Sequence, residues 1–241
     1  MLRLSTYFCY PPGMDSERPY HHGNLKPALL EAAVRLIAEV GPAAFTLREV
    51  ARRAGISHNA PYRHFREKDE LLAAVATQGF EQLTVALSNV APGKPGKATR
   101  ARNPNPALRR FQAAGLAYVR FALRSPEHLL VMFDWPLDQD RYPELSAAAA
   151  GAFSVLVGFV ETAQREGSLP AGDPLALACI AWSLVHGVAK LAIARRLPFQ
   201  SEPEILRFAA HAIQALHDGM ASADARAPDP RSGIPVRTKC G

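Results

Sequence analysis

Thr46 to Lys68 reads TLREVARRAGISHNAPYRHFREK, two short helices joined by a tight turn, the second presenting polar, aromatic and basic side chains. Thr46 followed three residues later by Glu49 is a capping box, in which each side chain satisfies an orphan backbone N–H of the other, and it fixes where the first helix begins. Gly55 marks where that helix stops, since glycine alone takes the left-handed conformation without strain. Ala54-Gly55-Ile56-Ser57 therefore reads as C-cap, turn and next N-cap, so that a second helix opens at Ser57. Leu47, Val50, Ala51 and Ala54 form one apolar face, with Ala51 small enough for a close crossing, and Arg48, Arg52 and Arg53 stay outside. Arg48, Arg52, Arg53, Arg63, Arg66 and Lys68 outnumber Glu49 and Glu67, a surplus that suits a polyanion. This is the pattern of a helix-turn-helix that reads DNA. The same spacing also occurs in bundles that bind nothing, so the flanks decide.

Upstream, Leu25, Leu29, Ala33, Leu36, Ile37 and Val40 recur at helical spacing, with Asn24 as cap, Pro27 tolerated in the first turn and Gly41-Pro42 ending the run. Downstream, Leu71, Leu72, Val75, Leu83, Leu87 and Val90 give another amphipathic helix starting near Glu67. Glu67, Asp69 and Glu70 suit the N-terminal dipole of that helix. Lys68 does not, unless a phosphate is held there by the lysine and the helix N–H groups together; the other possibility is a surface lysine neutralised by its acidic neighbours.

From Tyr20-His21-His22-Gly23-Asn24-Leu25 through Phe65-Arg66-Glu67-Lys68 the chain resembles the N-terminal domain of TetR-family transcriptional regulators, over roughly fifty positions in several linked motifs. The resemblance implies an all-α fold. Three helices form a helix-turn-helix DNA-binding domain, the third being the recognition helix, and a fourth leads into a helical bundle that binds a ligand and dimerises. Carried over by position, Arg48, His58, Asn59, Ala60 and Arg63 resemble base-facing residues, and Thr46, Tyr62, His64 and Lys68 phosphate-facing ones; Arg63 suits either role. Pro61 departs from the leucine common in the wider family, and a proline here shifts where the recognition helix begins.

The chemistry of these groups agrees with the roles. Asn59 matches adenine N6 and N7, Arg48 or Arg63 matches guanine O6 and N7, and His58 donates or accepts. Tyr62 keeps its ring on its own helix while the hydroxyl reaches outward to a phosphate oxygen, whereas Phe65 belongs to the core.

With 241 residues, 48% of them hydrophobic, the chain can form a small domain plus a larger one. A formal net charge of +6 favours a polyanionic partner without identifying DNA. Cys9, Cys179 and Cys240 lack the spacing of a disulfide framework or a zinc site, which fits a reducing cytoplasm, and His21-His22 has no third ligand nearby, so no metal and no cofactor is expected. No apolar run reaches a membrane span in this reading, and Leu2 to Cys9 is too short for a secretory core. Translation starts at Met1 or at Met14.

Residues 1–20 read as a flexible arm, 21–68 as the DNA-binding domain, 69–220 as the regulatory and dimerisation domain with a flexible loop at 91–106, and 221–241 as a flexible tail. Beyond Pro106 the pattern predicts helices over 107–124, 126–134, 143–166, 174–196 and 202–217, the last two with Ala-rich faces suited to packing across a twofold axis. Trp182-Ser183-Leu184-Val185-His186-Gly187 resembles the Trp-His-Gly (WHG) class of TetR-family C-terminal domains. Trp182 and His186 share a helix face, and Gly187 permits close approach of a helix or a ligand. A ligand pocket is expected among Phe111, Tyr118, Phe121, Met132, Phe133, Phe153, Phe159, Trp182 and His186, most of which also serve as core.

Together these features describe a cytoplasmic homodimer, paired through its last two helices, that binds a palindromic double-stranded DNA operator, represses by occlusion, with activation as the alternative, and responds to a small, largely apolar effector. Two other classes compete. An enzyme would need a convergent site, but G-x-S-x-G, H-E-x-x-H, P-loop and dinucleotide patterns are absent from the sequence. A helical dimeric adaptor or ligand-binding protein that has lost specific DNA binding keeps the same architecture.

Overall fold

The computed structural model describes residues 25–90 and 105–224. The N-terminal arm, His21-His22, the cap at Asn24 and all but the end of the 91–106 loop lie outside the described residues. Among the described residues the regular structure is helical: α1 (Leu25–Val40), α2 (Leu47–Arg53), a 3-10 turn (Pro61–Arg63), α3 (Lys68–Ser88), α4 (Pro106–Arg124), α5 (Pro126–Phe133), a second 3-10 turn (Gln139–Arg141), α6 (Pro143–Arg165), α7 (Pro174–Ile193) and α8 (Glu202–Asp224). α8 runs past the end expected near His217 and takes up the first residues of the expected tail.

The capping box forms as expected. The Thr46 N–H donates to Glu49 Oε2 at 3.0 Å and the Glu49 N–H donates to Thr46 Oγ1 at 3.3 Å, which starts α2. Leu47, Val50 and Ala51 of α2 are buried against Leu29, Ala33, Leu36 and Ile37 of α1. Gly41 and Gly55, at φ 79° and 69°, turn the chain after α1 and α2. Val40, the last apolar member of the α1 run, is 52% exposed.

The helix expected from Ser57 does not form. Residues 57–60 make a turn and Pro61–Arg63 a single 3-10 turn. Pro61 has no N–H to return to the Ser57 carbonyl, which accepts instead from the Ala60 N–H at 2.9 Å. The Pro61 carbonyl then takes both the His64 and the Phe65 N–H groups, each at 2.9 Å, and this ends the turn. Pro61 and Phe65 are buried, so the short segment is anchored at both ends.

α3 continues from this unit into the bundle, burying Leu71, Leu72, Val75, Phe80, Leu83 and Leu87 and packing on α1, α4, α5 and α6. Close approach depends on two glycines. A Cβ on Gly79 would lie 2.5 Å from Met132 Sδ and 3.1 Å from His128 Cβ of α5, and one on Gly115 of α4 would lie 2.9 Å from Ile213 Cδ1 of α8. Gly187, expected to permit such an approach, has nothing within 4 Å of that position. A second apolar cluster, around Leu108, Phe111, Val160 and Leu169, closes the far end of the bundle.

The expectation that no apolar run reaches a membrane span is corrected at two places. By length and composition α6 and α7 are apolar enough to cross one, yet both pack in the bundle, against α4 and against each other. Only 33% of the most apolar stretch of α7 is buried within the protomer.

His128 of α5 is buried. Its Nε2 pairs with Gln78 Oε1 at 3.2 Å, while Nδ1 is buried without a partner. Burial holds its pKa below the usual histidine value, against an opposing pull from Glu127. Because the folded pKa is depressed, its contribution to stability is present above the unfolded value near 6.5 and is lost as pH falls through the folded one. The drop in Tm between pH 7.5 and pH 5 should therefore be smaller in His128→Leu than in the parent, as thermal unfolding by circular dichroism would show. An equal drop would rule out His128 as a source of the acid sensitivity.

Candidate nucleic-acid interface and internal cavity

α2 packs against the 3-10 turn, and both carry the side chains singled out from the sequence. Thr46, Arg48, His58, Asn59, Tyr62, Arg63 and His64 are exposed, whereas Ala60 is half-buried. Alternation explains this display: Pro61 and Phe65 face the core, so Tyr62, Arg63 and His64 face solvent, and the Tyr62 side chain is left 47% exposed despite its size. The Thr46 hydroxyl is engaged with Glu49. Arg53, read as lying outside, is tied bidentately to Glu39 of α1, one contact at 2.6 Å, and this bond holds the Glu39 carboxyl below its usual range.

Lys68 is placed differently from a lysine projecting into solvent. It is half-buried, and its ammonium donates to the carbonyls of Ala43 at 3.0 Å and Phe45 at 3.4 Å. It also sits 5.4 Å from the ring centroids of both Phe45 and Trp135.

Inside the bundle an apolar cavity of about 40 Å³ is lined by Leu87 of α3, Phe111, Ala114, Gly115 and Tyr118 of α4, Leu156 of α6, Ala181, Trp182, Leu184 and Val185 of α7, and Ile213 and Leu216 of α8. Tyr118 Oη lies 2.7 Å from His186 Nδ1. Burial pushes the Tyr118 phenol up, with the neighbouring Trp182 side chain pulling the other way. Burial and the neighbouring Lys190 charge hold His186 below its usual pKa, opposed by Asp134. His186 is thus held toward its neutral form, in which one ring nitrogen donates and the other accepts. Phe133 stands edge-on to His186 at 4.8 Å and tilted to Trp182 at 5.7 Å, and Phe153 stands edge-on to Trp182 at 6.2 Å.

Of the nine residues expected at a pocket, Phe111, Tyr118 and Trp182 line this cavity, and Phe133, Phe153 and His186 join them through ring contacts. The other three lie elsewhere. Phe121 borders an open groove of about 570 Å³ between α3 and α4, beside Arg120 and Arg124; Phe159 borders a hollow with Arg110; and Met132 fills the space over Gly79. The groove is the larger space, but the aromatic and polar groups converge on the internal cavity. Gly115 and Ile213 were not singled out from the sequence, and Leu87 only as a member of the apolar run of α3. A glycine within an amphipathic helix, as at Gly115, is the one local sign of close packing there.

A compact helix-turn-helix unit continuous with a helical bundle around an apolar cavity defines a class of bacterial regulators. The chain belongs to the tetR family of bacterial regulatory proteins: residues 29–75 match that family's model, and residues 111–216 match the model described as the tetracyclin repressor-like C-terminal domain. These matches lend no support to the narrower Trp-His-Gly class. An HTH-type transcriptional repressor of Mycobacterium tuberculosis is 38% identical over 82 residues, which cover 34% of this chain and 44% of that protein. The chain thus matches less than half the length of the curated relatives. A solved protein of unknown function from Rhodococcus sp. RHA1 is 33% identical, with a TM-score of 0.67 over 85% of this chain and 100% of that one. A regulatory protein in the tetR family, also from Rhodococcus, shares the fold at 19% identity and a TM-score of 0.59, over 78% and 95% of the two chains.

Proposed function

We propose that the protein is a cytoplasmic, homodimeric, ligand-responsive transcriptional repressor, whose two reading turns enter successive major grooves of a palindromic operator about 34 Å apart. The observation that carries this is the row of exposed polar and basic side chains on a turn pinned by buried Pro61 and Phe65, next to Arg48 on α2. Arg48, His58, Asn59, Ala60 and Arg63 face bases; Thr46, Tyr62 and His64 face phosphates. Selection of bound sequences from a random duplex library at defined salt tests it. A palindrome with half-sites one helical turn apart, or a multiple of that, is the expected result. Absence of salt-sensitive duplex binding would favour the adaptor instead.

Arg48→Ala is expected to lose about 1–3 kcal/mol of discrimination at particular base pairs and to leave the others unchanged, as competition with single-base operator variants would show. A uniform loss across all variants would remove Arg48 from the base-facing set.

Dimerisation is assigned to α7 and α8. Ile180, Leu184, Gly187 and Leu191 fall on one stripe of α7, and Phe208, Ala212, Ala215 and Gly219 on one stripe of α8. Ile180, Leu191 and Phe208 are 48%, 47% and 38% exposed in the protomer. Gly187 and Gly219 have no neighbour within 4 Å of a Cβ position, which leaves room for a second copy's helices to approach.

The effector occupies the internal cavity. Its apolar body packs on Phe111, Trp182 and Ile213, and its one polar group meets the Tyr118 and His186 pair. Binding that favours the form with the wrong spacing of reading turns releases the operator, each tenfold preference supplying about 1.4 kcal/mol of coupling. The chain acts by binding, not catalysis.

A further inference from the structure

Three consecutive residues at the end of α5 face three different partners. The Phe133 ring contacts His186 and Trp182 beside the cavity, the Asp134 carboxylate pairs with Lys190 of α7, and the Trp135 indole N–H donates to Asp69 Oδ1 at 3.2 Å at the start of α3. The Trp135 ring also takes the Lys68 ammonium, at 5.4 Å, and the same ammonium bonds the backbone carbonyls of Ala43 and Phe45. A few residues on, Arg141 at 2.7 Å and the Tyr142 hydroxyl at 3.3 Å both donate to the Glu67 carboxylate. The segment from Trp135 to Tyr142 thus holds Glu67, Lys68 and Asp69 in succession, and Lys68 in turn holds the loop that leads into α2.

We infer that Trp135 and Lys68 form a clasp that positions the DNA-reading unit on the bundle, and that the pair supports DNA binding through this positioning. The inference rests on the DNA-reading function proposed above for its second half only. The ammonium spends two of its three N–H donors on backbone carbonyls and lies within cation–π distance of two rings, so it ties the loop before α2 to the Trp135 segment before any DNA is bound. Trp135 is a positioning residue. It reaches the reading turn only through Lys68, Asp69 and the loop before α2.

Two readouts on the full chain test this. Amide hydrogen exchange without DNA should accelerate about tenfold across residues 43–68 in Trp135→Ala and in Lys68→Met, with residues 106–124 unchanged and Trp135→Phe intermediate. On the selected operator, Trp135→Ala and Lys68→Met should both lower affinity, Trp135→Ala with the dependence of log K on log salt unaltered. In Lys68→Met, a slope shallower by about 0.9 for each lysine, about 1.8 per dimer, together with unchanged exchange, would overturn the inference in favour of a phosphate contact alone. Unchanged exchange in Trp135→Ala overturns the clasp whether or not the protein binds DNA. Accelerated exchange in a protein that binds no duplex leaves the clasp standing and overturns the proposed function.

Discussion

Ile180→Asp combined with Leu191→Asp is expected to give a folded monomer that binds its operator about 10²–10⁴-fold more weakly than the parent, because one reading turn then works without the effective concentration its partner supplies. Both side chains project from α7 at close to half exposure, so neither supports the protomer core, and their loss leaves the helical content and Tm near those of the parent. In a twofold interface each carboxylate is introduced twice, and each would be buried without a partner, a penalty well above what the lost apolar area contributes. Sedimentation velocity reads the oligomeric state and fluorescence anisotropy reads operator affinity. A dimer that survives the double substitution would move the interface off the α7 and α8 stripes.

Phe65→Ala is expected to abolish operator binding while leaving the dimer intact. Phe65 is 2% exposed, belongs to the core shared by α1, α2 and α3, and donates its N–H to Pro61, so it is the inner anchor of the reading turn. Truncating a buried phenylalanine costs about 3–5 kcal/mol, comparable to the whole stability of many small domains. The bundle has its own apolar clusters and should keep its cooperative thermal transition; the loss should appear as rapid exchange of residues 46–68. Retention of operator binding within a few-fold of the parent would show that the turn is held by something other than Phe65.

Where local chemistry decides, the sequence was read correctly. Thr46 and Glu49 bond each other whatever lies beyond them, Gly41 and Gly55 take the positive φ that only glycine takes cheaply, and Leu71, Leu72 and Val75 bury as their spacing requires. Ser57 misled because its type and position are those of an N-cap, whereas the missing N–H of Pro61, four residues on, removes the first bond that a helix starting there would make. Lys68 was illegible for a different reason. Its partners Ala43 and Phe45 lie 25 and 23 residues upstream and Trp135 lies in another helix-turn segment, so no local pattern announces them. The cavity is the least local feature: five helices supply its wall, and Gly187, conspicuous beside Trp182 and His186, faces open space while the inconspicuous Gly115 makes the close contact. Phe121, Phe159 and Met132 share the aromatic or apolar character of the true lining residues, and only the direction each points on its helix separates them.

The small volume of the cavity has a kinetic meaning. At about 40 Å³ it holds no more than a few water-sized groups, and Ile213 of α8 already presses on Gly115 of α4. Under the proposed function, an effector of ordinary size would enter only when those two helices part, and that parting would gate its association. Observed association rates then level off at high effector concentration, and the measured affinity is reduced by the fraction of time the helices spend apart. In the proposed regulator the fraction of time those helices spend apart therefore sets the effector concentration that releases the operator.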